Sequence, residues 1–390
     1  MELYVLDFEF RRIALVDWYE SLVWTERFNA FGDFELRIVA NTNTIAILQS
    51  GYWLAMQGSY RVMQIRRVQN QTDTDGRKIL TVTGRSMEAI LLDRVAIPNL
   101  SVTKESEGWN FEKSPVGICR QIFQDICVSG VVSSKDVIPN VSVDNPPWPS
   151  NIPYSTTPIK VKLNPTTVYD AIRELCVAYS LGFRLLRLND SKFLSWDVYS
   201  GSDRTTSQVL LPPVVFSPQL DSLSDINELQ TIEDTKNVAY VIGESSTVEV
   251  YADDGITTHA GLGRNVLLVD ASDITTADFT NVPEAMKARG KMELALRKAY
   301  LGFDGVVRQD SQYLYQKDYF LGDLVEVRQE TGATNIMRVS EQIFASDQEG
   351  TRMYPSLEKV TFVDVGTWMA VQADQRWLDL SADVTSWSQS

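Results

Sequence analysis

Apolar and polar positions alternate over much of residues 1–95. Residues 3–6 and 13–16 are short apolar runs on either side of a turn, and residues 18–28 interleave aromatic and polar side chains. Phe34-Glu35-Leu36-Arg37-Ile38-Val39 alternates with period two, as a strand with one buried face does. Residues 61–69 repeat that pattern, Asp75-Gly76 supplies hairpin chemistry, and residues 78–84 form the return strand. An antiparallel sheet or barrel is predicted over residues 1–95.

The period then changes. Ser86 is placed to cap a helix over 86–94, and Ser114-Pro115 opens a second through Val116, Ile118, Ile122, Phe123 and Ile126. Asn164-Pro165-Thr166-Thr167 starts a third over 168–180, which Gly182 is expected to end. The run Asn145-Pro146-Pro147-Trp148-Pro149 excludes regular structure. With strands at 183–188 and 192–199, residues 96–230 read as an α+β insert.

Residues 231–366 return to β character, with strands at 237–242, 247–251 and 324–327. One helix over 283–300 intervenes, carrying Met286, Met292, Leu294, Ala295 and Ala299 as its apolar positions. Residues 367–390 hold Trp368, Trp377 and Trp387 among polar residues and read as a C-terminal arm. The expected fold is α+β, mainly β, with two similar antiparallel β-barrel-like domains flanking the insert.

The similarity of those two domains rests on an internal echo. Gly51-Tyr52-Trp53-Leu54, Arg61-Val62, Asp75-Gly76 and Ile79-Leu80-Thr81-Val82 recur in order as Gly322-Asp323-Leu324-Val325, Arg338-Val339, Glu349-Gly350 and Leu357-Glu358-Lys359-Val360. Any antiparallel meander can produce this order, and so can a duplicated domain; the pattern is compatible with both. If it is a duplication, a trimer presents six similar β domains around one axis.

Charge and composition narrow the function. Lys and Arg number 36 against 51 Asp and Glu, a net charge of −15, which opposes phosphate binding by counterion release. The single histidine, His259, cannot supply a multi-histidine metal site, and Cys119, Cys127 and Cys176 lack metal or redox spacing. No metal or cofactor is therefore expected, and the odd set of three cysteines fits reduced thiols made in a cytoplasm. Met1-Glu2-Leu3-Tyr4 is acidic where a signal peptide is basic, and no run approaches the roughly twenty apolar residues of a membrane span.

No catalytic constellation emerges. His259 lies in a polar run and reads as a solvated loop residue, and Gly261-Leu262-Gly263-Arg264 is too short to cradle phosphate. Asp253-Asp254, Glu233-Asp234 and Asp7 lack calcium-loop spacing and read as surface acids. Ser86, Ser195 and Ser200 lack the strand-to-helix elbow of a serine nucleophile. Asp203-Arg204 reads as a local pair within a polar turn. Arg61, Arg66 and Arg67 form the one basic cluster of the first domain, divided between the two faces of a strand. The aromatics Trp18, Trp24, Phe28, Tyr52 and Trp53 crowd the first domain as core residues or as anchors of a subunit interface.

Several stretches together resemble a known family. They are the run of residues 13–28 from Ile13-Ala14-Leu15 to Glu26-Arg27-Phe28, Gly32-Asp33-Phe34-Glu35-Leu36, and Tyr199-Ser200-Gly201-Ser202-Asp203-Arg204-Thr205. Val214-Val215-Phe216-Ser217, Asn237-Val238-Ala239-Tyr240-Val241-Ile242-Gly243 and Lys317-Asp318-Tyr319-Phe320-Leu321-Gly322-Asp323-Leu324-Val325 complete the set. In this order they resemble the minor tail proteins of siphophages of actinobacteria, which are similar to phage baseplate hubs and to the N-terminal hub region of tail-associated lysins. The resemblance implies a homotrimeric hub at the virion tail tip, whose paired tail-tube domains meet a hexameric distal tail protein ring. It also implies contact with the tape measure protein, DNA only in passage through the lumen, indirect contact with the host envelope, and no enzymatic activity; the net charge of −15 would make that lumen acidic, so that DNA passes without adsorbing. The chain stops soon after its second β domain, so no lytic extension is expected. Two other functions compete with this one: a cell-wall glycosidase or peptidase, and a host-glycan-binding tail protein.

Overall fold

The computed structural model describes residues 1–72, 76–102, 108–143, 155–188, 191–217, 224–254, 256, 258–298, 300–306, 313–328, 334–348 and 350–359. Asp75 and Glu349 of the two expected hairpin turns, the Pro-rich run 145–149 and the arm 367–390 lie outside these residues.

The first β region contains β1 (Leu3–Leu6), β2 (Arg12–Val16), β3 (Ser21–Arg27), β4 (Asp33–Val39), α1 (Thr42–Ile47), β5 (Trp53–Met56), β6 (Val62–Thr72) and β7 (Lys78–Ser86). Alternation sets its two faces. Phe34, Leu36 and Ile38 point into the core beside Leu22 and Trp24, while Asp33, Glu35 and Arg37 stand outside. Helix α1 has no buried residue; its capping box, in which the Asn41 carboxamide accepts from Thr44 N at 2.9 Å, makes it a surface turn.

The insert comprises β8 (Val95–Ala96), β9 (Trp109–Lys113), α2 (Pro115–Phe123), β10 (Val141–Val143), β11 (Ile159–Leu163), β12 (Thr166–Thr167), α3 (Val168–Ala178), β13 (Gly182–Arg187) and β14 (Leu194–Tyr199). Helices α2 and α3 begin as predicted, with Ser114 Oγ accepting from Gly117 N and Thr167 Oγ1 accepting from Asp170 N. Their apolar faces close on β13 and β14, where Phe123 stacks on Trp196 at 4.2 Å.

Two expected helix boundaries differ. The segment after Ser86 is a 3₁₀ helix over Met87–Asp93, and Ser86 ends β7 instead of capping it. Its hydroxyl accepts from Gly32 N at 2.7 Å, and Glu88 is drawn wholly inside to meet Arg61 and the Leu185 amide. Helix α3 ends at Ala178, and Ser180 takes the left-handed φ of 54°. Gly182 serves β13 instead, because a Cβ there would overlap the Phe28 ring.

The remaining elements are β15 (Val215–Phe216), β16 (Ser224–Thr231), β17 (Val238–Ile242), β18 (Thr247–Tyr251), β19 (Val266–Asp270), α4 (Val282–Ala295), β20 (Tyr300–Val306), β21 (Leu324–Arg328), β22 (Thr334–Asp347) and β23 (Gly350–Lys359). Helix α4 stops before the predicted 300, since Tyr300 already pairs with Thr231 in the sheet. Strands β17–β19 and α4 form a unit with its own core, in which Ala239, Val241, Val250 and Val269 meet Ala285 and Met286.

One long sheet joins the two β regions in the order β16-β20-β23-β22-β3-β4-β7-β6-β5-β1-β2. Within it the sequence echo is a structural duplication. Strands β5-β6-β7-β4-β3 and β21-β22-β23-β20-β16 follow the same path. Gly51 and Gly322 lead the two copies with φ of 91° and 89°. Gly51 N donates to Ile65 O and Ile65 N to Tyr52 O, just as Gly322 N donates to Val339 O and Val339 N to Asp323 O. Each long strand is bulged at the same place, after Ile65 and after Val339. Arbitrary meanders do not share a bulge, a positive-φ glycine and two backbone bonds in register.

Candidate functional site

The two β copies meet along β3 and β22, paired antiparallel from Glu341 opposite Arg27 to Ser346 opposite Leu22. Beside this ladder the open face carries one clasp: Arg27 binds Glu341 at 2.6 Å in the second copy and Asp33 at 2.7 Å in the first. On the core side Glu26, 1 % exposed, accepts from the Ser59 hydroxyl and, at 2.8 Å, from the Tyr315 hydroxyl of the second copy. Arg61 donates to Arg27 O at 3.1 Å and pairs with buried Glu88, whose carboxylate also takes the Leu185 amide of the insert.

Phe28 is where all three parts converge. Its amide donates to Ser340 O at 2.9 Å and its carbonyl accepts from Phe183 N at 3.2 Å. Its ring meets Tyr199 edge-on at 5.2 Å and lies under the Arg338 guanidinium at 5.2 Å. Gly182 and Gly322 approach so closely that a Cβ on either would overlap the ring. Arg338 fixes the other side by donating to Ser200 O and Gly322 O, both at 3.0 Å.

A second clasp stands behind it. Buried Asp323 accepts from Ser202 N at 2.7 Å, Phe320 N at 3.0 Å and Arg204 Nε at 3.0 Å. Burial pushes its carboxyl up while these donors pull it back, leaving a pKa of about 6. Leu324 N donates to Ser202 O and Arg204 N to Leu324 O, so residues 199–205 and 317–325 are two sides of one joint. The expected local pair of Asp203 and Arg204 is not formed; Asp203 accepts from Thr205 N, and Arg204 reaches 119 residues along the chain to Asp323.

The five expected interface aromatics divide. Trp24, Phe28 and Trp53 are 0 %, 2 % and 6 % exposed and fill the core of the chain, while Tyr52 is half-buried against Phe8. They are enclosed because each sits at a position where the sheet face meets a packed layer. Trp18 keeps 62 % of its surface open. His259, expected in solvent, is buried; its ring contacts Asp254 at 3.1 Å and Arg264 donates to its carbonyl. Asp253 pairs with Lys291 and Asp7 with Arg11. Among the described residues no group of three His, Cys, Asp or Glu side chains converges as a metal site.

A cleft of about 360 Å³ lies between the insert and α4, lined by Lys162, Glu174, Leu267, Ile274, Arg289 and Met292. Its two named cations are held by structural bonds: Lys162 meets Asp278 at 2.8 Å and Arg289 pairs with Asp273. Burial raises the Asp278 carboxyl, but Lys162, Asn110 and Thr275 outweigh it and hold the pKa at about 2. A folded pKa below the unfolded one means stability present above about pH 4 and lost as the pH falls toward 2. The loss attributable to this group is about 2 kcal/mol. Urea unfolding at pH 5 and pH 2.5 measures it, and Asp278→Asn is expected to remove that part of the acid loss.

The arrangement binds parts of the chain to one another. Its fold has known counterparts. A tail protein from Neisseria meningitidis MC58 superposes with a TM-score of 0.56 at 14 % identity, covering 93 % of this chain and 98 % of that one. The 43 kDa tail protein of prophage MuSo2 from Shewanella oneidensis gives 0.58 at 14 % identity, with 94 % and 99 % covered. Prophage tail protein gp18 from Listeria monocytogenes EGD-e gives 0.51 at 11 % identity, with 95 % and 98 % covered. No curated protein sequence matches the chain. The family model of the Siphovirus ReqiPepy6 Gp37-like proteins matches residues 2–357, essentially the whole described chain, and the protein belongs to that family.

Proposed function

We propose that this protein is a structural component of a phage tail tip, a homotrimeric hub that closes or extends the distal end of the tail tube. The observation that carries this reading is the internal duplication, on a fold shared with phage tail proteins. Two similar β copies in one chain allow three chains to meet a sixfold ring with six near-equivalent surfaces. The partners are then a distal tail protein ring and the tape measure protein, with DNA passing through the centre at infection and host contact made through other tail components. The buried contacts of Phe28 with Ser340 and Arg338 hold the two copies at one fixed angle, which such a symmetry match requires, and the Asp323 clasp ties the second copy to the insert.

The sheet face turned away from the core is the natural lining of a bore. It carries Asp33 and Glu35 but also Arg37, Arg67 and Arg85. On the first copy this face is therefore of mixed sign, and the acidic lumen stays an expectation from the net charge of −15. Native mass measurement tests the proposal: a stable species near three times the 44.0 kDa of one chain is expected. A monomer at every concentration overturns it.

A further inference from the structure

The duplication says more than that the copies are alike, because one copy is used in a way the other is not. Strand β22 is paired twice on its outer side: residues 334–338 with β21 and residues 341–346 with β3. Its counterpart β6 is paired once there. Residues 62–64 bond β5, whereas residues 67–72 have β7 on one side and no described strand on the other. Strand β16, the counterpart of β3, likewise pairs β20 and ends the sheet, with no described strand beyond it. These two open edges are thus the two halves of a ladder that the chain closes once internally.

We infer that neighbouring copies of this chain join through that same ladder, residues 67–72 of β6 on one copy pairing antiparallel with residues 226–231 of β16 on the next. The internal joint fixes the register. The bulges align Arg67 with Glu341, and the chain of pairs Trp24–Phe34–Gly84 and Glu228–Phe303–Leu357 aligns Trp24 with Glu228. Because Glu341 faces Arg27 and Phe344 faces Trp24 within the chain, Arg67 faces Thr231 and Asn70 faces Glu228 between chains. Gln69 then faces Leu229. Open strand edges otherwise invite uncontrolled pairing, and on the outer half of β6 the only blunting charge is Arg67: residues 70–72 are exposed and uncharged, with no proline in the strand.

The contact is heterologous, so it closes into a ring when the rotation per copy allows. From β16 to β6 each chain would contribute eight consecutive strands, and three chains twenty-four. The inference rests on the reading of this protein as a ring-forming hub.

Cysteine pairing in the full chain tests it. The native thiols of Cys119, Cys127 and Cys176 are buried and leave a low background. Gln69→Cys with Leu229→Cys, and Asn70→Cys with Glu228→Cys, place adjacent rungs opposite each other, and one of the two rungs will have geometry suited to a disulfide. Gln69→Cys with Ile226→Cys is the offset control. On oxidation at least one aligned pair is expected to link chains into covalent closed species about tenfold more than the control. In parallel, amides 67–72 and 226–231 of the unmodified chain should exchange at least about tenfold more slowly in the assembly than in the dissociated chain.

A multimer of the expected mass whose aligned pairs link no better than the control, and whose two edges exchange freely, overturns this interface and leaves the hub intact. A protein monomeric at every concentration overturns both.

Discussion

Asp323→Ala is expected to lower the stability of the folded chain by about 3–5 kcal/mol, the cost of breaking a buried ion pair from one side. The substitution removes three acceptor contacts at once. The Arg204 guanidinium stays buried without its counter-charge, and the amides of Ser202 and Phe320 lose their partner. Since Ser202 and Arg204 also trade backbone bonds with Leu324, the damage falls on the joint between the insert and the second β copy. Urea unfolding at pH 7 checks it; a loss below about 1 kcal/mol would mean that water or a neighbouring oxygen replaces the carboxylate.

The pH dependence has a definite sign. The folded pKa of about 6 lies above the unfolded value of 3.8, so the fold favours the protonated acid. That contribution is complete below about pH 4 and is lost as the pH rises through 6. The stability of the native chain relative to Asp323→Asn, which cannot titrate there, is expected to grow by up to about 3 kcal/mol between pH 7 and pH 4. Asp278 acts in the opposite direction at lower pH, and the two windows do not overlap.

Strand identity was legible in the sequence because alternation is local: Phe34, Leu36 and Ile38 declare their face without reference to any other segment. The duplication was legible as an order of motifs, but its proof lay in a bulge and a pair of positive-φ glycines, which are backbone properties. The clasps were not legible. In extended backbone adjacent side chains point to opposite faces, so Asp203 and Arg204 cannot readily meet, and the partner of Arg204 is set by topology. The same holds for Gly182, which resembled a helix terminator and is a space left for Phe28. The lone His259 looked solvated because its loop is polar, yet Asp254 and Arg264 hold it in. Aromatic content did not tell core from surface: Trp24, Phe28 and Trp53 are enclosed by parts of the same chain, and Trp18 stands exposed.

Phe28→Ala tests the meeting point of those parts and is expected to cost about 3–5 kcal/mol, the range for truncating a buried aromatic ring. Relaxation around the cavity is limited from three sides. Gly182 and Gly322 have no side chains to swing inward, Tyr199 is held by the Arg184 guanidinium at 4.1 Å, and Arg338 is tied to two carbonyls. Trp18→Ala, by contrast, should change the stability of the isolated chain by no more than about 0.5 kcal/mol. The steric cause can be separated from the loss of apolar area. Gly322→Ala alone is strained twice, by φ of 89° and by overlap with the Phe28 ring. Combined with Phe28→Ala the overlap disappears and only the backbone strain, about 1 kcal/mol, remains. The double variant is therefore expected to be more stable than the sum of the single losses predicts, by at least about 1 kcal/mol. Additive losses in urea unfolding would show that Gly322 does not make room for Phe28, and that the joint between the two β copies is held by its hydrogen bonds alone.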